Sequence, residues 1–147
     1  MIVADMAPVD YGTRQHDALE AMRRLPLPQP SRSAARAALD ADESLKDFLL
    51  QSLDMKAGRW VLNLEVLAAE MPKIFGWPQP GGHYDGPALF LSGGASDYVL
   101  PEHRPAIKAM FPRAKFAKLP GAGHFLHAEK PAAFEAAVRS FLESEAV

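Results

Sequence analysis

The sequence predicts an α/β fold: about three parallel strands with flanking helices, interrupted by an all-helical insertion. Three observations carry this. The runs Ile2–Ala4, Ala88–Leu91 and Ala114–Leu119 have the length and apolar content of strands in a parallel sheet. Helical patterns follow the second and third runs, the alternation expected of strands connected through helices. Between the first and second runs stand four helical segments with no strand among them.

Taken in order, Ile2-Val3-Ala4 reads as a buried parallel strand closed by Asp5, then by Pro8 and the turn-like Asp10-Tyr11-Gly12. From Arg14 to Leu25 the apolar residues Ala18, Leu19, Met22 and Leu25 recur at helical spacing, and Pro26-Leu27-Pro28-Gln29-Pro30 breaks that helix. Ser31 can cap a second, alanine-rich helix, and Asp42 a third with Leu45, Phe48, Leu49 and Leu53 on one face. A fourth runs from about Asn63 to Met71 and is expected to stop at Pro72. The Pro- and Gly-rich stretch from Gly76 to Pro87 is a linker, so residues 14–76 form the insertion and residues 1–13 with 77–147 the sheet-bearing part. Ser92-Gly93-Gly94 closes the second strand, and Pro101–Met110 is helical with Pro in its first turn. Lys115 and Lys118 suit a third strand at a sheet edge, where charge discourages further pairing. Pro131 opens a last helix whose buried stripe is Phe134, Ala137, Val138, Phe141 and Leu142. Three such strands make a poor sheet alone, so further strands are expected beside Ile2–Ala4, from a preceding segment or another chain. A strand beginning at residue 2 fits a truncated chain or one piece of a two-chain assembly.

Composition narrows the function. The chain has 147 residues, 48% apolar and 23% charged, as in one ordinary globular domain. A net charge of −2 offers no basic face to nucleic acid or anionic lipid. The absence of cysteine removes disulfides, thiol nucleophiles and cysteine metal sites, and fits a cytoplasmic protein. No signal peptide is visible, and no stretch approaches the roughly 20 apolar residues needed to span a bilayer.

The residues that could carry chemistry centre on Pro120-Gly121-Ala122-Gly123-His124-Phe125-Leu126-His127-Ala128-Glu129-Lys130-Pro131. Gly121 and Gly123 permit a tight turn, and a loop leaving a parallel strand places His124 at the carboxyl edge of the sheet, where sites form. We read His124 as a general base rather than a loop histidine with a structural hydrogen bond. Such an imidazole needs an acid to fix its tautomer. Asp5, ending the first strand, and Asp97, in the loop after the second, both qualify, although each could instead be a turn or capping residue. The nucleophile is missing: of Ser31, Ser33, Ser44, Ser52, Ser92, Ser96, Ser140 and Ser144, none lies in Gly-x-Ser-x-Gly. A His-Gly oxyanion loop after an early strand is missing too. His127, three residues beyond His124, lacks the third ligand that zinc would need, and no metal is expected. Trp60, Phe75 and Trp77 could line an acyl pocket, with Phe125 beside the histidine, but packing within a small cap is the plainer reading of the first three. Gly93 and Gly94 lie in no phosphate-binding pattern.

These stretches resemble the C-terminal part of an α/β-hydrolase of the YbfF-like esterase group. The resemblance runs nearly the whole length. It rests on Ile2-Val3-Ala4-Asp5-Met6-Ala7-Pro8-Val9-Asp10-Tyr11, Arg59–Leu64, Pro72–Trp77, Gly86–Val99 and the histidine loop. The Asp-x-Ala-Pro-Val opening and the Gly-Gly-x-Ser-x-Tyr-Val segment are its more specific parts. The resemblance implies a helical cap, hydrolysis of short acyl esters or thioesters, and no metal or organic cofactor. It favours Asp5 as the acid. The more general hydrolase position for the acid falls on Ser96, with Asp97 as a nearby substitute. The serine elbow and oxyanion loop of the group belong before Met1.

The expected function is thus the C-terminal half of a serine esterase, with His124 as base, Asp5 or Asp97 as acid, and a small acyl ester or thioester as substrate. The expected partner is a complementing N-terminal half or another copy of the chain. The alternatives are one chain of a two-chain hydrolase, or a non-catalytic half-fold used for binding or oligomerisation.

Overall fold

The computed structural model describes residues 1–12 and 16–145. The chain resolves into two compact units, residues 1–9 with 78–147, and residues 10–77.

The first unit holds a parallel sheet. Strands β1 (Ile2–Ala4), β4 (Ala88–Gly93) and β5 (Ala114–Leu119) lie in the order β1-β4-β5. Ile2 pairs with Leu89, and Leu91 pairs in turn with Ala4 and Ala117, so one row of side chains crosses all three strands. Every residue of the central strand β4 is buried, which is why it reads as an unbroken apolar run. Its side chains alternate between faces. Leu89 and Leu91 join Leu119, Leu126 and Phe141 in a cluster closed by helix α7 (Pro131–Glu145). Phe90 turns the other way, onto Phe111 and Phe116, where Arg104 and Lys108 of helix α5 (Arg104–Met110) lie over the Phe116 ring. A short 3₁₀ turn, Pro101–His103, precedes α5. Among the described residues strand β5 is a sheet edge, with Lys115 and Lys118 exposed, as its charges predict. Strand β1 is parallel but only half-buried, with Ala4 exposed, because among the described residues it has a neighbour on one edge only. In α7 the expected stripe holds for Phe134, Ala137, Val138 and Phe141, while Leu142 is 54% exposed.

The second unit is helical, with helices α1 (His16–Arg24), α2 (Arg32–Ala38), α3 (Glu43–Leu50) and α4 (Leu64–Phe75). The expected start of the first helix, Arg14, lies outside the described residues. Both caps form: Ser31 Oγ accepts the Ala34 amide at 3.0 Å and Asp42 Oδ1 the Ser44 amide at 2.8 Å. A feature invisible to helical periodicity is a two-stranded antiparallel ribbon, β2 (Leu53–Asp54) with β3 (Arg59–Trp60). Leu53 belongs to that ribbon rather than to α3, whose core residue is Leu50; Phe48 is 58% exposed. Pro72 does not end α4. The helix runs through it to Phe75 and stops at Gly76, whose amide donates to the Pro72 carbonyl at 3.0 Å. A Cβ at Gly76 would meet that carbonyl oxygen at 2.8 Å. Trp60 packs against two buried clusters of this unit, one built on Leu25, Leu39 and Leu50, the other on Leu19, Met22 and Leu64.

Candidate active site

The three strands deliver three loops to the carboxyl edge of the sheet. Asp5 follows β1, Ser96-Asp97-Tyr98 follows β4, and His124 follows β5. The Asp5 amide donates to the Leu91 carbonyl at 2.8 Å, adding one rung to the β1–β4 ladder. There the backbone enters the left-handed region, at φ +49°, which Asp tolerates better than most residues. Its carboxylate is completely buried, 0% exposed. A buried carboxylate needs donors, and three converge on it. Oδ1 accepts the Gly93 amide at 3.0 Å. Oδ2 accepts the Ser96 hydroxyl and the Nδ1 proton of His124, the latter at 2.9 Å.

Glycines let the loops come together. A Cβ on Gly93 would lie 2.3 Å from the Gly123 carbonyl oxygen and 2.5 Å from that of Ala122. Gly94 donates to Leu119 O at 2.7 Å and Ala95 to Ala122 O at 2.8 Å, stitching the β4 loop to the histidine loop. Gly121 takes φ +68°, a turn that glycine makes without strain. Glu129, at the end of helix α6 (Leu126–Glu129), accepts the Gly123 amide at 2.8 Å.

His124 is thus held from two sides. Its Nδ1 is bound to the Asp5 carboxylate, which in the neutral ring places the proton on Nδ1 and leaves Nε2 as an acceptor. Its ring stacks on Tyr98, with centroids 3.8 Å apart and planes at 17°. Phe125 meets the imidazole edge-on at 5.4 Å. The His124 side chain remains 35% exposed, so the ring is accessible. This arrangement can relay a proton and steady the positive charge that follows.

Of the two candidate aspartates, the one hydrogen-bonded to His124 is Asp5; Asp97 is exposed. Phe125 lies beside the imidazole, at the surface. Trp60, Phe75 and Trp77 belong to the helical unit. The Trp60 indole donates to Met22 O at 2.9 Å and lines a hollow of about 430 Å³ with Met22, Leu25, Leu27 and Leu64. The Phe75 carbonyl accepts the Tyr11 amide at 2.9 Å, and Trp77 is half-buried beyond the end of α4. His127 sits between Phe125 and Phe134. Among the described residues no group of three His, Cys, Asp or Glu is placed to hold a metal ion. Sequence reasoning missed Ser96 and Tyr98 as partners of the pair. The available signal was the Ser-x-Tyr spacing, which lets the Tyr98 amide donate to Ser96 Oγ at 3.2 Å.

Comparisons with known proteins complete the picture. The sequence model of the alpha/beta hydrolase family matches residues 1–137. The chain is 38% identical over 154 residues to the sn-1-specific diacylglycerol lipase ABHD11 of Mus musculus, covering 97% of this chain and 50% of that protein. It is 37% identical over 147 residues to Esterase YbfF of Escherichia coli K12, covering 97% of this chain and 57% of that protein. The solved structure of a marine microorganism esterase superposes with a TM-score of 0.85 at 30% identity, over 95% of this chain and 59% of that one. The chain spans about half the length of the curated relatives it matches.

Proposed function

The chain belongs to the alpha/beta hydrolase family, and from that premise we propose that it supplies the base and the acid of a serine esterase. His124 is the base and Asp5 its acid. The observation that carries this reading is the 2.9 Å contact between His124 Nδ1 and the fully buried Asp5 carboxylate. The serine comes from polypeptide other than these 147 residues, since none of the eight here lies in a Gly-x-Ser-x-Gly turn. Ser96, next to the pair, spends its hydroxyl proton on Asp5.

In the assembled enzyme Nε2 of His124 takes the serine proton as the hydroxyl oxygen attacks the acyl carbon. Asp5 holds the resulting imidazolium through Nδ1–H. The same Nε2–H then passes its proton to the leaving alkoxide or thiolate. Water, deprotonated by the same ring, releases the acid and restores the serine. The relatives' names, an esterase and a diacylglycerol lipase, support carboxylic esters as the substrate class, with thioesters the variant.

The test uses the purified chain and a fluorophosphonate probe. No labelling is expected of the chain alone, and labelling of any of its serines would overturn the missing-nucleophile reading. Co-expressed with an N-terminal hydrolase half bearing the serine elbow, the chain should support hydrolysis of p-nitrophenyl esters, and His124→Ala should abolish it. Undiminished turnover by the His124→Ala assembly would remove the base assignment. A second reading, a non-catalytic half-fold that self-associates, is favoured by one observation: among the described residues β1 is paired on one edge only. Light scattering tests it, and a monomer at all concentrations would exclude self-association.

A further inference from the structure

We propose that Tyr98 is a positioning residue for His124: its buried ring is the platform that fixes the plane of the imidazole. The proposal deepens the reading of His124 as base and rests on it. A single hydrogen bond from Nδ1 to Asp5 fixes one point of the ring. It leaves the imidazole free to swing about the N···O axis, carrying Nε2 with it. A face-to-face stack removes that rotation, because it constrains a plane. Tyr98 is built to supply the constraint. It is 6% exposed, its ring lies 3.8 Å from the imidazole at 17°, and neighbouring Val99 is buried as well. Its backbone is tied to the same network, for the Tyr98 amide donates to Ser96 Oγ and that hydroxyl donates to the Asp5 oxygen that also meets Nδ1. Tyr98, Ser96, Asp5 and His124 therefore form a closed circuit of contacts drawn from the loops after all three strands. Among the described residues the other ring on the imidazole, Phe125, meets it only by an edge at 5.4 Å and is itself exposed, so it cannot fix the plane. This gives the Gly-Gly-x-Ser-x-Tyr-Val segment a physical role beyond closing β4.

The experiment is solution NMR of the 147-residue chain with ¹⁵N-labelled histidine, which needs no serine and no turnover. In the unmodified chain we expect ring-current upfield displacement of the His124 ring protons, cross-relaxation to the Tyr98 ring, and a single tautomer protonated at Nδ1. Absence of the displacement would overturn the proposal at once, whatever the variants do. Tyr98→Phe should keep all three signatures, and Tyr98→Leu should keep the Nδ1–H tautomer that Asp5 holds but broaden the His124 ring signals and weaken their cross-relaxation to Phe125, while amide resonances of the helical unit stay in place. A Tyr98→Leu chain whose His124 ring keeps the line widths and the Phe125 cross-relaxation of the unmodified chain would show that Asp5 alone orients the ring and would sink the idea. Tyr98→Phe failing as badly as Tyr98→Leu would shift the effect to the hydroxyl and sink it too. In the reassembled esterase Tyr98→Leu should lower kcat about 10²-fold with KM little changed, as for other misplacements of a catalytic group, and Phe should rescue it. These outcomes are separable from the base assignment, which stands or falls on His124→Ala.

Discussion

Asp5 combines a left-handed backbone with complete burial, two costs that a protein sustains only where the surroundings impose them. What imposes them is the convergence of an amide, a hydroxyl and an imidazole N–H on one carboxylate. Asp5→Asn keeps the shape but turns an amide NH₂ toward groups that are themselves donors. We expect it to destabilise the chain by about 1–3 kcal/mol through unsatisfied buried groups, read by urea unfolding. Under the proposed function it should also cut kcat of the reassembled hydrolase by about 10⁴-fold, as loss of a triad acid does elsewhere. Gly93 is constrained as tightly by its neighbours. A methyl group there would sit within 2.3–2.5 Å of two carbonyl oxygens of the histidine loop. Gly93→Ala is therefore expected to cost about 1–3 kcal/mol or more through overpacking, and to shift the His124 resonances while sparing those of the helical unit.

Elements show where local rules suffice and where they fail. Ser31 and Asp42 cap α2 and α3 as their positions ahead of helical runs predict, because a cap is decided within four residues of chain. Ser31→Ala should cost about 1 kcal/mol by thermal or urea unfolding. Leu39, with no exposed surface in the helical unit, is a stronger test of packing: Leu39→Ala should cost about 2–5 kcal/mol. Pro72 is the instructive failure. Proline predicts a helix end, yet α4 continues for three residues to Phe75, with Leu67, Ala68 and Met71 of the preceding turns packed against a buried cluster. That packing holds the helix through a lost hydrogen bond. Pro72→Ala, which restores the bond, should stabilise by up to about 3 kcal/mol. Phe48 and Leu142 fail differently. Their spacing fits the apolar stripes of α3 and α7, but the stripe that meets a neighbour is narrower than the one the sequence offers.

For the whole molecule the testable quantity is the acid limb of stability. Asp42 is held below the ordinary carboxylate range because the Ser44 hydroxyl and amide both donate to it. Glu145, at the end of α7, is held low by its hydrogen bond from Lys115 Nζ, with Arg113 adding to the attraction. A carboxyl group depressed on folding contributes stability that is complete above its unfolded value, about 3.9 for Asp and 4.3 for Glu, and is lost as pH falls through the lower folded value. Melting temperature should therefore drop between pH 5 and pH 3, and Asp42→Asn should drop less over that interval than the unmodified chain. A parallel loss in both would show that Asp42 does not contribute. No helix among the described residues is long and apolar enough to cross a membrane.

The sequence by itself determined the three strands of the parallel sheet, the helical caps, the glycine-flanked histidine loop and the lack of a Gly-x-Ser-x-Gly serine. Each of these is written in a few adjacent residues and follows from local backbone preference and side-chain chemistry. Only the tertiary structure decided which aspartate meets His124, and brought Ser96 to that aspartate and Tyr98 to the imidazole. Asp5 and His124 are 119 residues apart, so no local pattern relates them. The strand order β1-β4-β5 does, because parallel strands in register deliver their carboxyl ends to one edge of the sheet.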